Sequence, residues 1–248
     1  MSWALPEADG ELLQLAKGYP YRAMGGSYLF RNDRLSSLGS GADPKGTSLF
    51  DGRVPVIAHG SNRSPDQLQR KFADFPASET EIPVTRAWLA DHDVVYSAHV
   101  TQYGSIAANL RSAPGARIEI YVTWLTQAQL SFMHATELGG ENYAYGSLSA
   151  IDLSLEEGPR RQLDRAYVYL SRRGCLGHDE QPIALAAVPA EGRRHGAMHQ
   201  EEVLSLIRDR HRPDRDLDDH ILQTIRQKAG RQSLIAEMRD AALPDLAT

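Results

Sequence analysis

The middle of the chain alternates between apolar and polar residues with the period of a β-strand. In "RIEIYVTWL", Ile118, Ile120, Val122 and Trp124 point one way, and polar or aromatic residues point the other. "DVVYSAHV" is rich in β-branched and aromatic residues and is predicted to be a strand. Three further strand candidates are "SIAANL", "SLSAIDLSL" and "RAYVYLS". "SAPGA" predicts a turn. With few helices between them, these strands predict an α+β fold, a mixed-strand, barrel-like domain flanked by helices.

The two ends of the chain have different patterns. "QEEVLSLIRDRH" and the segment from 217 to 243 place apolar residues at helical spacing. They predict a helical C-terminal extension, residues 191–248, packed on a central domain, residues 54–190. Residues 1–53 are predicted to be an N-terminal extension over that domain, with loops at "AMGGSYLF" and "SSLGSGADPKGTSLFDG".

A short apolar strand, residues 54–58, leads through a four-residue loop into a helix start. The helix start is signalled by Ser64 as N-cap, Pro65 at the first position and Gln67 in a capping box. The loop is His59, Gly60, Ser61 and Asn62. Small residues at this place let a ligand approach free backbone N–H groups, which suits a carboxylate or an oxyanion. The alternative, a plain strand-to-helix turn, stays open because Gly, Ser and Asn are common in turns.

A carboxylate lies on the apolar stripe of a second predicted helix. Thr126 and Gln129 predict a capping box, and the helix is expected to end near Leu138. Met133 and Glu137 share its apolar face. A buried carboxylate must be paired or take up a proton, and such groups serve general acid–base catalysis. The alternative is that Glu137, in the last turn, swings out to water.

Composition excludes several classes of protein. The 248 residues are 42% hydrophobic and 24% charged, as in ordinary globular domains. The net charge is −5 without a basic block, so no nucleic-acid partner is expected. No apolar run reaches membrane-spanning length, and the N-terminus lacks a signal-peptide pattern, so no membrane partner and a cytoplasmic location are expected.

Metal-binding signals are weak. The single cysteine, Cys175, excludes a multi-cysteine site. His195 and His199 lie four residues apart, but no H-E-x-x-H motif supports a metal site there. No metal site is therefore predicted.

The order of these segments resembles the γ-glutamylcyclotransferase-like family. "IAHGSNRSPDQL" is similar to the family's strand ending in Tyr-Gly-Ser-Asn, and "AANLRSAPGARIEIYVTWLTQAQLSFMHATELGGENYAYG" follows its later segments, from about residue 54 to 190. The resemblance implies Glu137 as the catalytic acid–base group. It also implies a substrate site at Gly60, Ser61, Asn62 and Tyr143, with His59 in place of the family's tyrosine.

The resemblance also implies the reaction. The α-amine of a γ-glutamyl amide attacks its own γ-carbonyl and expels an amine, leaving 5-oxoproline, without metal or cofactor. The expected partner is a small γ-glutamyl or related amide substrate. Two alternatives remain: an amide hydrolase on the same scaffold, and a binding module without catalysis. Two roles for His59 stay open. Because imidazole can be charged near neutral pH, it could hydrogen-bond Glu137 or substrate and add an ionisation; the alternative is a purely structural role.

Overall fold

The structure, a computed structural model, describes residues 3–32, 34–38, 49–139 and 142–244. The longer strands, in chain order, are β1 (Tyr28–Arg31), β2 (Arg34–Ser37), β3 (Val54–Ala58), β4 (Ile82–Val100), β5 (Ile106–Leu125), β6 (Tyr143–Leu155) and β7 (Gln162–Ser171). Five two-residue strands follow: β8 (Gly177–His178), β9 (Gln181–Pro182), β10 (Ala184–Leu185), β11 (Ala190–Glu191) and β12 (Ala197–Met198). The helices are α1 (Asp9–Lys17), α2 (Pro65–Lys71), α3 (Gln127–Glu137), α4 (Gln200–His211), α5 (Leu217–Arg226) and α6 (Lys228–Asp240).

Five of the strands close into a barrel. Around the barrel the order is β5, β3, β7, β6 and β4, and β4 pairs with β5 again. The β3–β7 pair is parallel and the other four pairs are antiparallel. The predicted α+β fold, a mixed-strand barrel flanked by helices with a helical C-terminal region, is confirmed.

The period-two alternation of the strands divides the core into two layers. Ile57 and Val122 belong to the larger apolar cluster, which includes the barrel strands and the C-terminal helices. Their chain neighbours Val56 and Tyr121 face the other way, into a second cluster that contains Leu68 of α2 and residues of α3. The two short helices therefore pack outside the barrel wall, so the loop after β3 lies near both of them.

The hairpin of β4 and β5 is longer than predicted. "SAPGA" does not end a strand: Ala90 pairs with Arg117 and His92 with Ser112, so residues 113–116 form a bulge within one ladder. The backbone N–H of Gly115 donates to Asp91 Oδ1 at 2.8 Å. Its φ of +83°, which favours glycine, lets the extra residues fold back and the ladder continue.

Part of the N-terminal segment forms a strand where a loop was predicted. "AMGGSYLF" was predicted to be loop, but its last residues form β1, which pairs with β4 and buries Tyr28 and Phe30. Most of the second predicted loop, residues 39–48, lies outside the described residues. Because β1 joins the sheet of the central strands, residues before 54 share that sheet. The divisions at 53 and 190 remain a prediction.

Helix α1 connects the N-terminal segment to the C-terminal helices. Lys17 Nζ lies 3.1 Å from Glu201 Oε1 of α4 and 2.7 Å from Asp218 Oδ1 of α5. The apolar face of α1, with Leu12 and Leu15, is buried in the same cluster as α4, α5 and α6. Within the described ranges, no helix combines the length and apolarity that crossing a membrane requires.

Candidate active site

A cavity of about 390 Å³ opens between the loop after β3 and the end of α3. It is within the size range of small-molecule sites. All the residues singled out from the sequence line it: His59, Gly60, Ser61, Asn62, Glu137 and Tyr143. The structure therefore brings the predicted residues together, while their roles remain predictions.

Helix α3 directs Glu137 inward. The predicted capping box is present, since the Thr126 side chain accepts from the backbone N–H of Gln129 and the Gln129 side chain reaches back. Because the helix begins at this cap, Leu130 and Met133 fall on its buried face. Glu137, the last residue of the helix, follows on that face, and its side chain is 12% exposed. Of the two orientations considered, the carboxylate takes the buried one.

The Glu137 carboxylate has two partners on one oxygen. Asn62 Nδ2 donates to Oε1 at 2.8 Å, and Lys71 Nζ forms an ion pair with the same oxygen. Among the described residues, no hydrogen bond goes to Oε2. The carboxylate is thus held in place through one oxygen, and the other remains able to accept a proton from a ligand.

Opposing effects set the pKa of Glu137. Burial alone raises the pKa, but the Lys71 ammonium, with its hydrogen bond and that from Asn62, lowers it further than burial raises it. The pKa therefore lies below the ordinary value, and the group is an anion near neutral pH. Lys71 ends α2, where the helix dipole favours a cation. Glu137 ends α3, where the helix dipole disfavours an anion. The Lys71 ammonium compensates this unfavourable interaction.

Lys71 was missed in the sequence. A lysine in the last turn of a helix is ordinarily solvent-exposed, whereas this side chain is only 9% exposed. The residue lies three positions beyond buried Leu68, the i+3 spacing that brings side chains to one face of a helix. That spacing was the only available signal, and it does not indicate a partner 66 residues away.

His59 is buried, and its imidazole has a lowered pKa. The residue is 6% exposed, and burial lowers its pKa to about 4, although Ala108 and Glu137 act in the opposite direction. The imidazole is therefore neutral near pH 7, and its Nδ1 has no hydrogen-bond partner among the described residues. Because desolvation outweighs the nearby carboxylate, burial argues against an added ionisation in the ordinary histidine range, which stays a prediction for the pH–rate profile.

The N-terminal segment supplies part of the cavity wall. Trp3 and Tyr19 line it, and Tyr19 Oη accepts a hydrogen bond from the backbone N–H of Ala108 at 2.9 Å. A Cβ at position 60 would lie 2.6 Å from this hydroxyl, so the loop needs glycine there. The capping box predicted at Ser64 and Gln67 is absent: Ser64 makes no side-chain cap, and its hydroxyl is buried without a partner among the described residues.

Two further polar groups of the cavity were not predicted. His99 is buried beside Tyr143, with ring centroids 5.5 Å apart, and its Nδ1 lies 3.1 Å from Ser97 Oγ. Burial, then Arg173, lowers the pKa of His99 to about 4. Tyr169 lines the cavity, and its hydroxyl hydrogen-bonds His134 Nδ1 at 2.9 Å. His99 lies on β4, Tyr169 on β7 and His134 on α3, and only the folded barrel brings these three elements together.

No cluster of three or more His, Cys, Asp or Glu side chains that could hold a metal ion occurs among the described residues.

Three solved structures are similar to this chain at low identity. A structure described as a gamma-glutamyl cyclotransferase is 12% identical over 79% of this chain and 91% of its own, with a TM-score of 0.38. An uncharacterized protein from Homo sapiens is 14% identical over 80% and 92%, with a TM-score of 0.38. YkqA from Bacillus subtilis is 12% identical over 82% and 72%, with a TM-score of 0.38.

Comparison by sequence gives no match. No protein-family model and no curated protein matches the chain.

Proposed function

We propose that the chain is a γ-glutamylcyclotransferase-like enzyme. Its substrate is a γ-glutamyl amide, and the products are 5-oxoproline and a free amine. The observation that carries the proposal is the Glu137 carboxylate, which lies in a cavity with Oε1 held by Asn62 and Lys71 and Oε2 unpaired among the described residues. An ionised, fixed carboxylate with one open oxygen is suited to accept a proton from an ammonium group.

The proton transfers follow from this arrangement. Glu137 Oε2 accepts a proton from the substrate's α-ammonium, and the freed amine attacks the γ-carbonyl carbon. The bond between that carbon and the leaving nitrogen then breaks, and Glu137 returns the proton to the leaving nitrogen. Glu137 then accepts the second proton from the nitrogen that has become the ring amide and passes it to the released amine. Two protons thus leave the α-nitrogen, two arrive at the leaving nitrogen, and the reaction consumes no water. Because attacking and attacked groups belong to one molecule, holding it folded supplies much of the rate.

The loop after β3 supports the negative charge that develops on the carbonyl oxygen. Gly60 and Ser61 stand at the start of a 3₁₀ turn, where backbone N–H groups lack partners within the turn. Such donors stabilise an oxyanion without moving. With a pKa of about 4, His59 is a neutral neighbour and not a second acid.

The identity of the product tests the proposal. Purified protein is incubated with a panel of γ-glutamyl amides in H₂¹⁸O, and the acidic product is identified by mass spectrometry. Cyclisation yields 5-oxoproline without ¹⁸O, whereas hydrolysis yields glutamate with one ¹⁸O in its γ-carboxylate. Labelled glutamate as the first product, or no turnover of any γ-glutamyl amide, would contradict the proposed reaction.

A further inference from the structure

The charges that line the cavity restrict the substrate's leaving group. Among the described lining residues, the only charged side chains are Lys71 and Glu137, and they pair with each other. The two lining histidines, His59 and His99, have pKa values lowered to about 4 by burial and are neutral near pH 7. A substrate carboxylate beyond the glutamyl group would therefore meet no free cation on the described wall.

Two nearby arginines do not line the cavity. The guanidinium of Arg70 lies over the rings of Tyr21, at 4.7 Å, and Trp3, at 5.6 Å. Arg173 Nε donates to Asn142 Oδ1 at 3.1 Å. Neither side chain is among the described lining residues.

The wall next to the loop is aromatic. Tyr103 and Trp3 line the cavity with their ring centroids 5.7 Å apart, and Ser61 of the loop lines the same cavity. Burial raises the pKa of Tyr103 to about 12, so its hydroxyl stays neutral. With the glutamyl group between Glu137 and Ser61, the part of the cavity along this wall remains for the leaving amine. Aromatic walls bind flat apolar groups by stacking and area burial.

We infer that the leaving group is an aromatic amine without a carboxylate, and not an α-amino acid. This inference rests on the proposed function, because it takes the glutamyl end to lie at Glu137. An amino-acid leaving group would bring a carboxylate into a wall of aromatic rings, amides and hydroxyls, where an anion loses water without gaining a cation. An amine leaving group of the same shape has no carboxylate and therefore avoids this loss of hydration.

Matched substrate pairs measure the effect of the carboxylate alone. γ-Glutamyl-tyramine and γ-glutamyl-tyrosine differ only in the carboxylate of the leaving group, as do γ-glutamyl-ethylamine and γ-glutamyl-alanine. We expect kcat/KM to be about tenfold or more higher for the amine compound of each pair than for the amino-acid compound. We also expect kcat/KM to be higher for γ-glutamyl-tyramine than for γ-glutamyl-ethylamine. Equal values, or preference for the amino-acid members, would overturn the inference.

Two variants locate the effect in the cavity. Gln102 lines it, so Gln102→Arg supplies the missing cation and should narrow the difference between γ-glutamyl-tyrosine and γ-glutamyl-tyramine. Trp3→Ala should reduce the preference for tyramine over ethylamine. The matched control is Trp88→Ala, since Trp88 stacks with Arg117 and is not among the described lining residues. An equal loss of preference in both tryptophan variants would contradict the assigned wall.

Binding separates this inference from the proposed reaction. Calorimetry on a Glu137→Gln, Lys71→Met protein, in which no unpaired ammonium is left in the cavity, compares the affinities of γ-glutamyl-tyramine and γ-glutamyl-tyrosine without turnover. If the tyramine compound binds more tightly but the unsubstituted protein turns over neither, the reaction is wrong and the ligand class stands. If 5-oxoproline forms but affinity and kcat/KM show no preference, the reaction stands and the ligand class is wrong. Failure of both compounds to bind would overturn the ligand class as well.

Discussion

At the scale of single residues, the central pair is Lys71 and Glu137. A buried carboxylate next to an ammonium differs from the protonated glutamic acid that burial alone would produce. Glu137 must begin its cycle as a base, so the cation keeps it in the required state. The lowered pKa makes Glu137 a weaker base. This loss is offset because the attacking amine and the carbonyl belong to one bound molecule and need not diffuse together.

Removing this cation should move the pH dependence of the reaction. In Lys71→Met, burial is no longer opposed by the ammonium, so the pKa of Glu137 rises and the acidic limb of the kcat/KM profile moves to higher pH. Lys71→Arg is the matched control, since it keeps a cation and should keep the limb at low pH. An acidic limb at the same pH in the unsubstituted and Lys71→Met proteins would contradict the role of Lys71.

The same residues show what the sequence permits. Glu137, Asn62 and the small residues beside it were predictable because local spacing places each on a loop or a helix face. Lys71 and His99 were not, because their burial depends on where α2 and β4 lie relative to α3 in the closed barrel. The burial of His59 was not predictable either, because desolvation depends on the surrounding structure and local sequence does not report it.

At the scale of elements, the N-terminal segment and the loop after β3 fit together. Ser105 Oγ donates to the carbonyl oxygen of Ala16 at 2.9 Å, which fixes the end of α1 on the barrel. Tyr19 follows two residues later and places its hydroxyl against Gly60. The strands were predicted from alternation, but this contact joins segments that the sequence places 41 residues apart, so periodicity does not reveal it.

This contact predicts coupling between the two positions. Gly60→Ala should clash with the Tyr19 hydroxyl and destabilise the fold by about 1–3 kcal/mol, as overpacking commonly does. In a Tyr19→Phe background the same alanine should cost less, because the hydroxyl is gone. A double-mutant cycle of urea unfolding measures the difference, and strictly additive free energies would show that the two positions do not touch.

At the scale of the whole molecule, buried neutral histidines tie stability to pH. His59 and His99 have pKa values near 4 in the folded chain against an ordinary 6.5, and burial with nearby arginines lowers the pKa of His220 in the same direction. The unfolded chain takes up protons below pH 6.5 that the folded chain refuses. Stability is therefore present above 6.5 and is lost as pH falls towards 4.

The size of this effect can be measured. Each of His59 and His99 should remove about 1.4 kcal/mol of unfolding free energy per pH unit between the two pKa values. Urea midpoints from pH 7.5 to 4.5 should therefore fall, and His99→Gln should make the fall less steep. A slope unchanged by His99→Gln would mean that His99 is not held neutral.

The most direct test of the account is turnover by Glu137→Gln. The amide keeps the size of the side chain but cannot accept and return a proton, so 5-oxoproline formation should fall by about 10²- to 10⁴-fold. The matched control is Glu119→Gln, a partly buried glutamate paired with Arg86 at 2.9 Å and not among the described cavity residues. The account predicts a folded Glu137→Gln protein with this loss beside an active Glu119→Gln protein. A folded Glu137→Gln protein that forms 5-oxoproline at the unsubstituted rate would contradict it.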